Sequence, residues 1–495
     1  MSLAVHDPAI ARFAHAWIRH VHVAYVPGPA TPLSETVARE LLKHFALLGH
    51  HVQDKPDAST DMILTTARFG EAMNWRESVL LAGRRRLNIE HSPTVFTLLD
   101  VTPAKFQEML AHFERILAKE PPDPEDFEFP GLAPSAHRIL IEQGRRGGPI
   151  MALERLVQAQ AKSIRILLVV GEDRPEAAYH FDLVGAFPRS SGADPAAFYA
   201  DIVLRMVTSV STSEVVAHEM MPEPVTRAEW NGLTTPAAMR TASLQLGKRN
   251  FFTEMVVVAD LVAVPAVGHA VASQYSEGCY ATWDPRLDAL IATITGSARP
   301  VDKGNVTDDD LAVIVGVRPD GKGAKVRHVQ EKFNTSPSSE AVEMMDMDNR
   351  LPKITLGAEW GPDAAATVPV VRSKLHGHRG IGSYDPSRVE FCRLDPPYYH
   401  FPVSCATEAQ AQGIKEAFAR AESLRNPDDP RQVAFTVLPG HGCVMTEKWV
   451  PGKEPFQVMW EYMDAGWLEV VKPVPQGTME YVPGSNGLLV LKAEQ

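Results

Sequence analysis

Three β-branched or apolar runs near the N-terminus constrain the fold most. They are His20-Val21-His22-Val23-Ala24-Tyr25-Val26, Met62-Ile63-Leu64-Thr65-Thr66 and Thr94-Val95-Phe96-Thr97-Leu98-Leu99, with helix-like sequence between them. Strands alternating with helices of this length predict a parallel sheet with crossover helices. Pro27-Gly28-Pro29 closes the first run, Ser34 is placed to cap an amphipathic helix through Leu48, and Gly49 is placed to end it.

The Pro- and acid-rich segment from Glu120 to Pro130 interrupts this pattern as a surface loop or linker. A helix over 150–162 then runs into the strand Ile164 to Val170, which reads as the start of a second α/β unit. That unit continues through a helix at 195–210, a strand near 214–217, a helix in the 236–247 region and a helix from Pro285 to Thr295 ended by Gly296. Beyond Asp309 the runs become short and β-rich, at 311–317, 324–329, 368–372, 389–394, 433–438, 456–463 and 467–471, with one helix over 408–424. Such spacing predicts a mostly antiparallel or barrel-like region. The expected fold class is therefore α/β. Its domains are an N-terminal α/β domain over 1–160, a second over 161–305 and a β-rich domain over 306–495, about three domains being what 495 residues suggest.

A formal net charge of −12, with only short basic clusters such as Arg84-Arg85-Arg86, excludes the simplest nucleic-acid binder. An apolar fraction of 45% supports a large core, yet no stretch approaches the ~18 apolar residues that span a bilayer. The four cysteines are scattered without a CxxC pair, and Met1 to Ile18 lacks the apolar core of a secretory signal. A soluble, reduced, cytoplasmic protein without membrane association is expected.

The chemistry gathers first at Tyr275-Ser276-Glu277-Gly278-Cys279 and at Pro300-Val301-Asp302, on either side of the helix expected over 285–295. In an open parallel sheet, functional side chains collect where strands end, so Glu277 and Asp302 can converge on one crevice. Two carboxylates there serve as a general acid/base pair or as ligands for a hard cation. The plainer alternative makes Glu277 a capping residue and Asp302 a turn former.

The stretch from Ser276-Glu277-Gly278-Cys279 through Leu287 to Gly296 and on to Pro300-Val301-Asp302 resembles the metal-site segment of the L-fucose isomerase and L-arabinose isomerase superfamily. The two acidic positions are 25 residues apart. The resemblance implies two Rossmann-like domains followed by a barrel-containing domain, and a third metal ligand close to the C-terminus, matched by His441 in Leu438-Pro439-Gly440-His441-Gly442. It implies Mn²⁺, or another divalent cation such as Mg²⁺, held by Glu277, Asp302 and His441. The same carboxylates would act as base and acid in an aldose–ketose isomerisation through an enediol, on a small-molecule sugar, in a homo-oligomer. A non-catalytic sugar-binding protein, or a metal-dependent lyase or epimerase on the same fold, stand as alternatives.

A second cluster, Arg372-Ser373-Lys374-Leu375-His376-Gly377-His378-Arg379-Gly380, is dense in cationic and titratable groups. In an extended segment His376 and His378 share a side. They read as a metal-ligand pair, as imidazoles bonded to backbone, or, with Lys374 and Arg379, as a recognition site for substrate hydroxyl or phosphate; the last is the expectation carried forward. Tyr275, Trp230 and Trp283 read as core aromatics more readily than as sugar-stacking rings. Met344-Met345-Asp346-Met347-Asp348 reads as an exposed turn. Neither G-x-S-x-G nor HExxH occurs.

Overall fold

The computed structural model describes residues 8–67, 93–119, 164–182, 185–212, 216–249, 251–252, 278–295, 302–332, 336–357, 360, 366–471 and 480–492. The chain is mixed α/β, with parallel strand pairs and a β-rich C-terminal region. It divides into two compact units. The first holds the described residues from 8 to 212 together with 400–403, and the second holds the others.

The first unit is built on a sheet of seven strands: β1 (His22–Val26), β2 (His51–Gln53), β3 (Met62–Thr66), β4 (Thr94–Val101), β5 (Ile164–Gly171), β6 (Pro175–Asp182) and β7 (Gly185–Ser190). Their spatial order is β2-β1-β3-β4-β5-β6-β7; the first five are parallel, and β6 and β7 add antiparallel. The parallel sheet expected from the three N-terminal runs is therefore present. One face of it, with Val23, Leu64, Phe96 and Leu167, packs on Val37, Leu41 and Phe45 of the helix Pro32–Leu47 and on Ile202, Val203 and Met206 of the helix Pro195–Ser211.

The helix Pro32–Leu47 begins one turn earlier than Ser34 suggested. Pro32 occupies the first turn, where its missing N–H costs nothing, so Thr31 becomes the cap. The Thr31 hydroxyl accepts from Ser34 N at 3.2 Å, and Ser34 Oγ accepts from Thr31 N at 2.9 Å. Gly49 ends the helix at φ +88, a conformation that favours glycine.

Two expectations fail in the middle of the chain. Strand β5 does not open a second α/β unit; it pairs with β4, Val95 through Val101 against Ile164 through Val170, in the same sheet. The segment 285–295 is not a helix. Residues 285–288 form a turn between β9 (Cys279–Asp284) and β10 (Ala289–Thr293), which are antiparallel. Asp284 Oδ1 accepts from the N–H groups of Arg286 and Leu287, both at 3.0 Å, and Asp288 closes the turn at φ +47. All five residues of β10 are buried, so apolar side chains face both ways. A two-faced strand contains apolar positions at helical spacing by default, which is why periodicity misread it.

The hairpin belongs to a nine-stranded sheet of the second unit. Its remaining members are β8 (Glu219–Met220), β11 (Leu311–Val317), β12 (Ala324–Arg327), β15 (Val371–Gly377), β17 (Val389–Phe391), β18 (Val433–Leu438) and β19 (Gly442–Lys448), in the order β17-β18-β19-β15-β9-β10-β11-β12-β8. Only the pairs at its two ends, β17 with β18 and β12 with β8, are parallel. Among the described residues the order is open, with β17 and β8 at its edges, where a barrel was expected. A short pair, β13 (Lys353–Thr355) with β14 (Thr367–Pro369), and a four-stranded sheet of β16 (Gly380–Tyr384), β20 (Leu468–Val471), β21 (Tyr481–Pro483) and β22 (Leu489–Leu491) complete the strands.

The run 456–463, expected as a strand, is the helix Gln457–Asp464, entered through Phe456 at φ +67. Val458, Met459 and Tyr462 are its buried residues, a helical spacing. The run 344–348 is likewise no exposed turn. It crosses from the helix Ala341–Asp346 into a 3₁₀ turn, with Met344 and Met347 in the core.

Candidate metal centre

His376, His378 and His441 come together in the second unit, each offering a ring nitrogen within 4.8 Å of the other two. The ring centroids lie 5.3 Å apart for His376 and His378, and 4.8 Å for each of them with His441. His376 is the penultimate residue of β15 and His378 follows it by two, the extended spacing that puts both on one side. His441 sits in the turn between β18 and β19, where its N–H donates to Leu438 O at 2.8 Å.

Strand pairing supplies the long-range part of the arrangement. β19 runs antiparallel beside β15 with His376 opposite Val444 and Gly377 opposite Cys443. Gly442 lets the turn close: it has φ +144, and a Cβ there would overlap the Gly377 carbonyl and the His378 backbone. Gly377 is needed in turn because a Cβ would overlap the Phe251 ring. Gly442 thus lets its turn approach the backbone of 377–378 closely enough for the imidazoles to meet, while Gly377 leaves room for the Phe251 ring.

The hydrogen bonds define what these rings can do. His376 Nδ1 is 3.1 Å from Cys443 O, and a carbonyl only accepts, so Nδ1 carries the proton. The lone pair is then on Nε2, which is buried and has no hydrogen-bond partner among the described residues. Burial, followed by the nearby His378, lowers the His376 pKa to about 4, so the ring is neutral at pH 7, the form that binds metals. Glu340 opposes that shift. Burial pushes the Glu340 carboxyl up, but His376, Lys303 and a 2.6 Å bond from Ser338 Oγ outweigh it and hold it near 2. Glu343, buried beside Glu340, is pushed well up by desolvation and by its neighbour's charge. Among the described residues, Glu340 is thus the carboxylate whose charge acts on His376.

Glu277 is outside the described residues. Asp302 is exposed in a turn, where its Oδ1 accepts from Gly304 N at 2.9 Å, and it does not join the three histidines. Between these two positions, residues 279–293 form the β9–β10 hairpin in place of the helix expected over 285–295. Lys374 is fully buried; its ammonium donates to Met344 O at 2.5 Å and is paired with Asp348. Arg379 is half-buried after His378. Trp230 and Trp283 are core residues, and Tyr275 is outside the described residues.

Gln410 was not found from sequence. Its Nε2 is 3.1 Å from His441 Nδ1. Its sequence signal, Thr407-x-x-Gln410 at a helix start, reads as a capping box and points away from chemistry. Glu340 and the Cys443 carbonyl were missed too, the latter because any residue supplies a carbonyl.

The buried group can hold a metal ion. Its three imidazoles supply nitrogen donors, that of His376 through a lone pair on Nε2. No family model matches this chain, and neither a curated protein nor a solved structure matches it. Among the described residues no helix is long and apolar enough to cross a membrane.

Proposed function

We propose that the protein is a metal-dependent enzyme whose divalent ion is held by His376, His378 and His441. The observation that carries this reading is the lone pair of His376 Nε2, which has no partner among the described residues, in a buried ring held neutral beside two other imidazoles. An unpartnered buried polar atom costs about 1–3 kcal/mol, and a metal bond removes that cost. The donor set, with no carboxylate in the group, favours a borderline ion such as Zn²⁺ or Fe²⁺ over the Mn²⁺ or Mg²⁺ expected from two acidic ligands.

When bound, the ion would act as a Lewis acid on a substrate oxygen, because three protein ligands leave coordination positions open. Aldose–ketose isomerisation of a sugar remains the reaction class, carried over from the fucose and arabinose isomerase resemblance. A homo-oligomer belongs to that same carry-over, whereas its two Rossmann-like domains and barrel do not match a first sheet that takes in both β4 and β5 or an open nine-stranded order. In this chain His376, His378 and His441 bind and orient the ion. Among the described residues Glu340 is the carboxylate whose charge acts on His376.

Metal analysis and a substrate screen test the two layers separately. One Zn²⁺- or Fe²⁺-class ion per chain, lost in the H376A variant, supports the centre; equal metal content in wild type and variant rejects it. Ketose formation from a pentose, hexose or deoxy-sugar by the loaded protein supports the isomerase. Loaded protein that binds sugars without converting them supports the sugar-binding alternative, and cleavage or epimerisation supports a lyase or epimerase.

A further inference from the structure

We infer that Gln410 is a positioning residue for His441, and that its side-chain amide turns over when the metal binds. The inference rests on the three-histidine centre proposed above and concerns how that centre is set.

The two buried ligand rings are held in opposite senses. At His376 the backbone carbonyl of Cys443 fixes the proton on Nδ1 and leaves Nε2 ready for an ion. At His441 the partner of Nδ1 is a donor, Nε2 of Gln410. The orientation of that amide follows from its other end: Gln410 Oε1 accepts from Ala406 N at 2.8 Å, so the NH₂ group is the end that faces His441. A ring accepting at Nδ1 is neutral and carries its proton on Nε2. Nε2 is also the nitrogen that would bind an ion, so His441 holds the tautomer a metal must displace.

Ligation at Nε2 requires the proton to move to Nδ1 and to find an acceptor there. Turning the Gln410 amide about its last torsion puts Oε1 against His441 Nδ1–H. The displaced contact at Ala406 has a substitute in place, because Ala406 N also donates to Glu343 Oε1 at 3.2 Å. The turned NH₂ group would face Ala406 N–H, donor to donor, so the turn requires this N–H to pass wholly to Glu343 Oε1, which also accepts from it and is the acceptor open to the NH₂ group. Ala406 holds this donor in position from the left-handed region, φ +60. Glu343 thereby acquires a role, accepting from both Ala406 N and Gln410.

The test is ¹⁵N NMR of histidine-labelled full-length protein with and without Zn²⁺, together with Zn²⁺ competition titrations of wild type, Q410E and H376A. The expected result is a His441 proton on Nε2 in metal-free protein and on Nδ1 in Zn²⁺-loaded protein. Q410E, a permanent acceptor, should bind Zn²⁺ at least about tenfold more tightly, the lower end of what outer ligand partners are worth. A Nδ1–H tautomer already present without metal, or a Q410E affinity no higher than wild type, overturns the role of Gln410. Undiminished Zn²⁺ binding in H376A overturns the centre itself, so the two failures are distinguishable. The wild-type spectrum decides the tautomer even if Q410E fails to fold.

Discussion

The Nδ1 atom of His376 lies 3.1 Å from the carbonyl oxygen of Cys443, on the strand that pairs with its own. Because a carbonyl cannot donate, this contact decides which nitrogen of His376 is basic and aims it at His378 and His441. The same antiparallel pairing that builds the sheet thus orients a metal ligand.

Replacing His376 by Ala should weaken Zn²⁺ binding by more than about 100-fold, since losing a ligand exceeds the 10–100-fold that outer partners contribute. Isothermal titration of wild type and variant at one pH measures it. Thermal melting of both metal-free proteins should show H376A less stable, because truncating the buried ring leaves a cavity and removes the bond to the Cys443 carbonyl.

Gly442→Ala should cost about 2–4 kcal/mol in urea unfolding, through a positive φ and an overlap with the Gly377 carbonyl. It should also abolish metal binding by displacing His441. Gly452→Ala has a positive φ but open space around its Cβ, so it should cost about 1–2 kcal/mol and leave metal binding intact. Equal effects of the two substitutions would rule out the close approach as the reason for Gly442.

Lys374→Met should destabilise the protein by about 3–5 kcal/mol, because it strands the Asp348 carboxylate in the core. Lys374→Met combined with Asp348→Leu should recover most of that loss, and a double-mutant cycle in denaturant measures the coupling. If K374M unfolds at the wild-type midpoint, the ammonium is not holding this pair together.

The Glu447 carboxyl is pushed up by burial to about 7, against hydrogen bonds from Phe456 N and Met459 N and the nearby Arg372. Its folded value lies above the ordinary 4.5, so between those limits the native state binds more protons than the unfolded chain. Its contribution is fully present below about pH 4.5 and is lost as pH rises through 7, a fall of up to about 3 kcal/mol at 1.36 kcal/mol per unit. Denaturant titrations across pH 4 to 9 should show this slope in wild type and not in E447Q. The same slope in both proteins would assign it to another group.

Local patterns carried much of this protein. The first strands and helices follow from runs of β-branched residues and from caps, which act over a few residues. The His376–Gly377–His378 spacing already placed two imidazoles on one side of an extended segment. The hairpin at 279–293 and the helix at 457–464 were misread because burial on both faces, or entry through a left-handed residue, depends on neighbours distant in the chain. Assignment of β5 to the first sheet is likewise a choice of partner strand, made by pairing with β4.

The sequence by itself determined which side chains could serve as ligands and which segments favour strand or helix, because residue chemistry and short-range periodicity are local. Tertiary structure decided which ligands meet: His441 reaches His376 only through the pairing of β15 with β19 and the close approach allowed by Gly442. It also decided which nitrogen each buried ring presents. That depends on a backbone carbonyl at Cys443 and an amide at Gln410, partners selected by three-dimensional proximity.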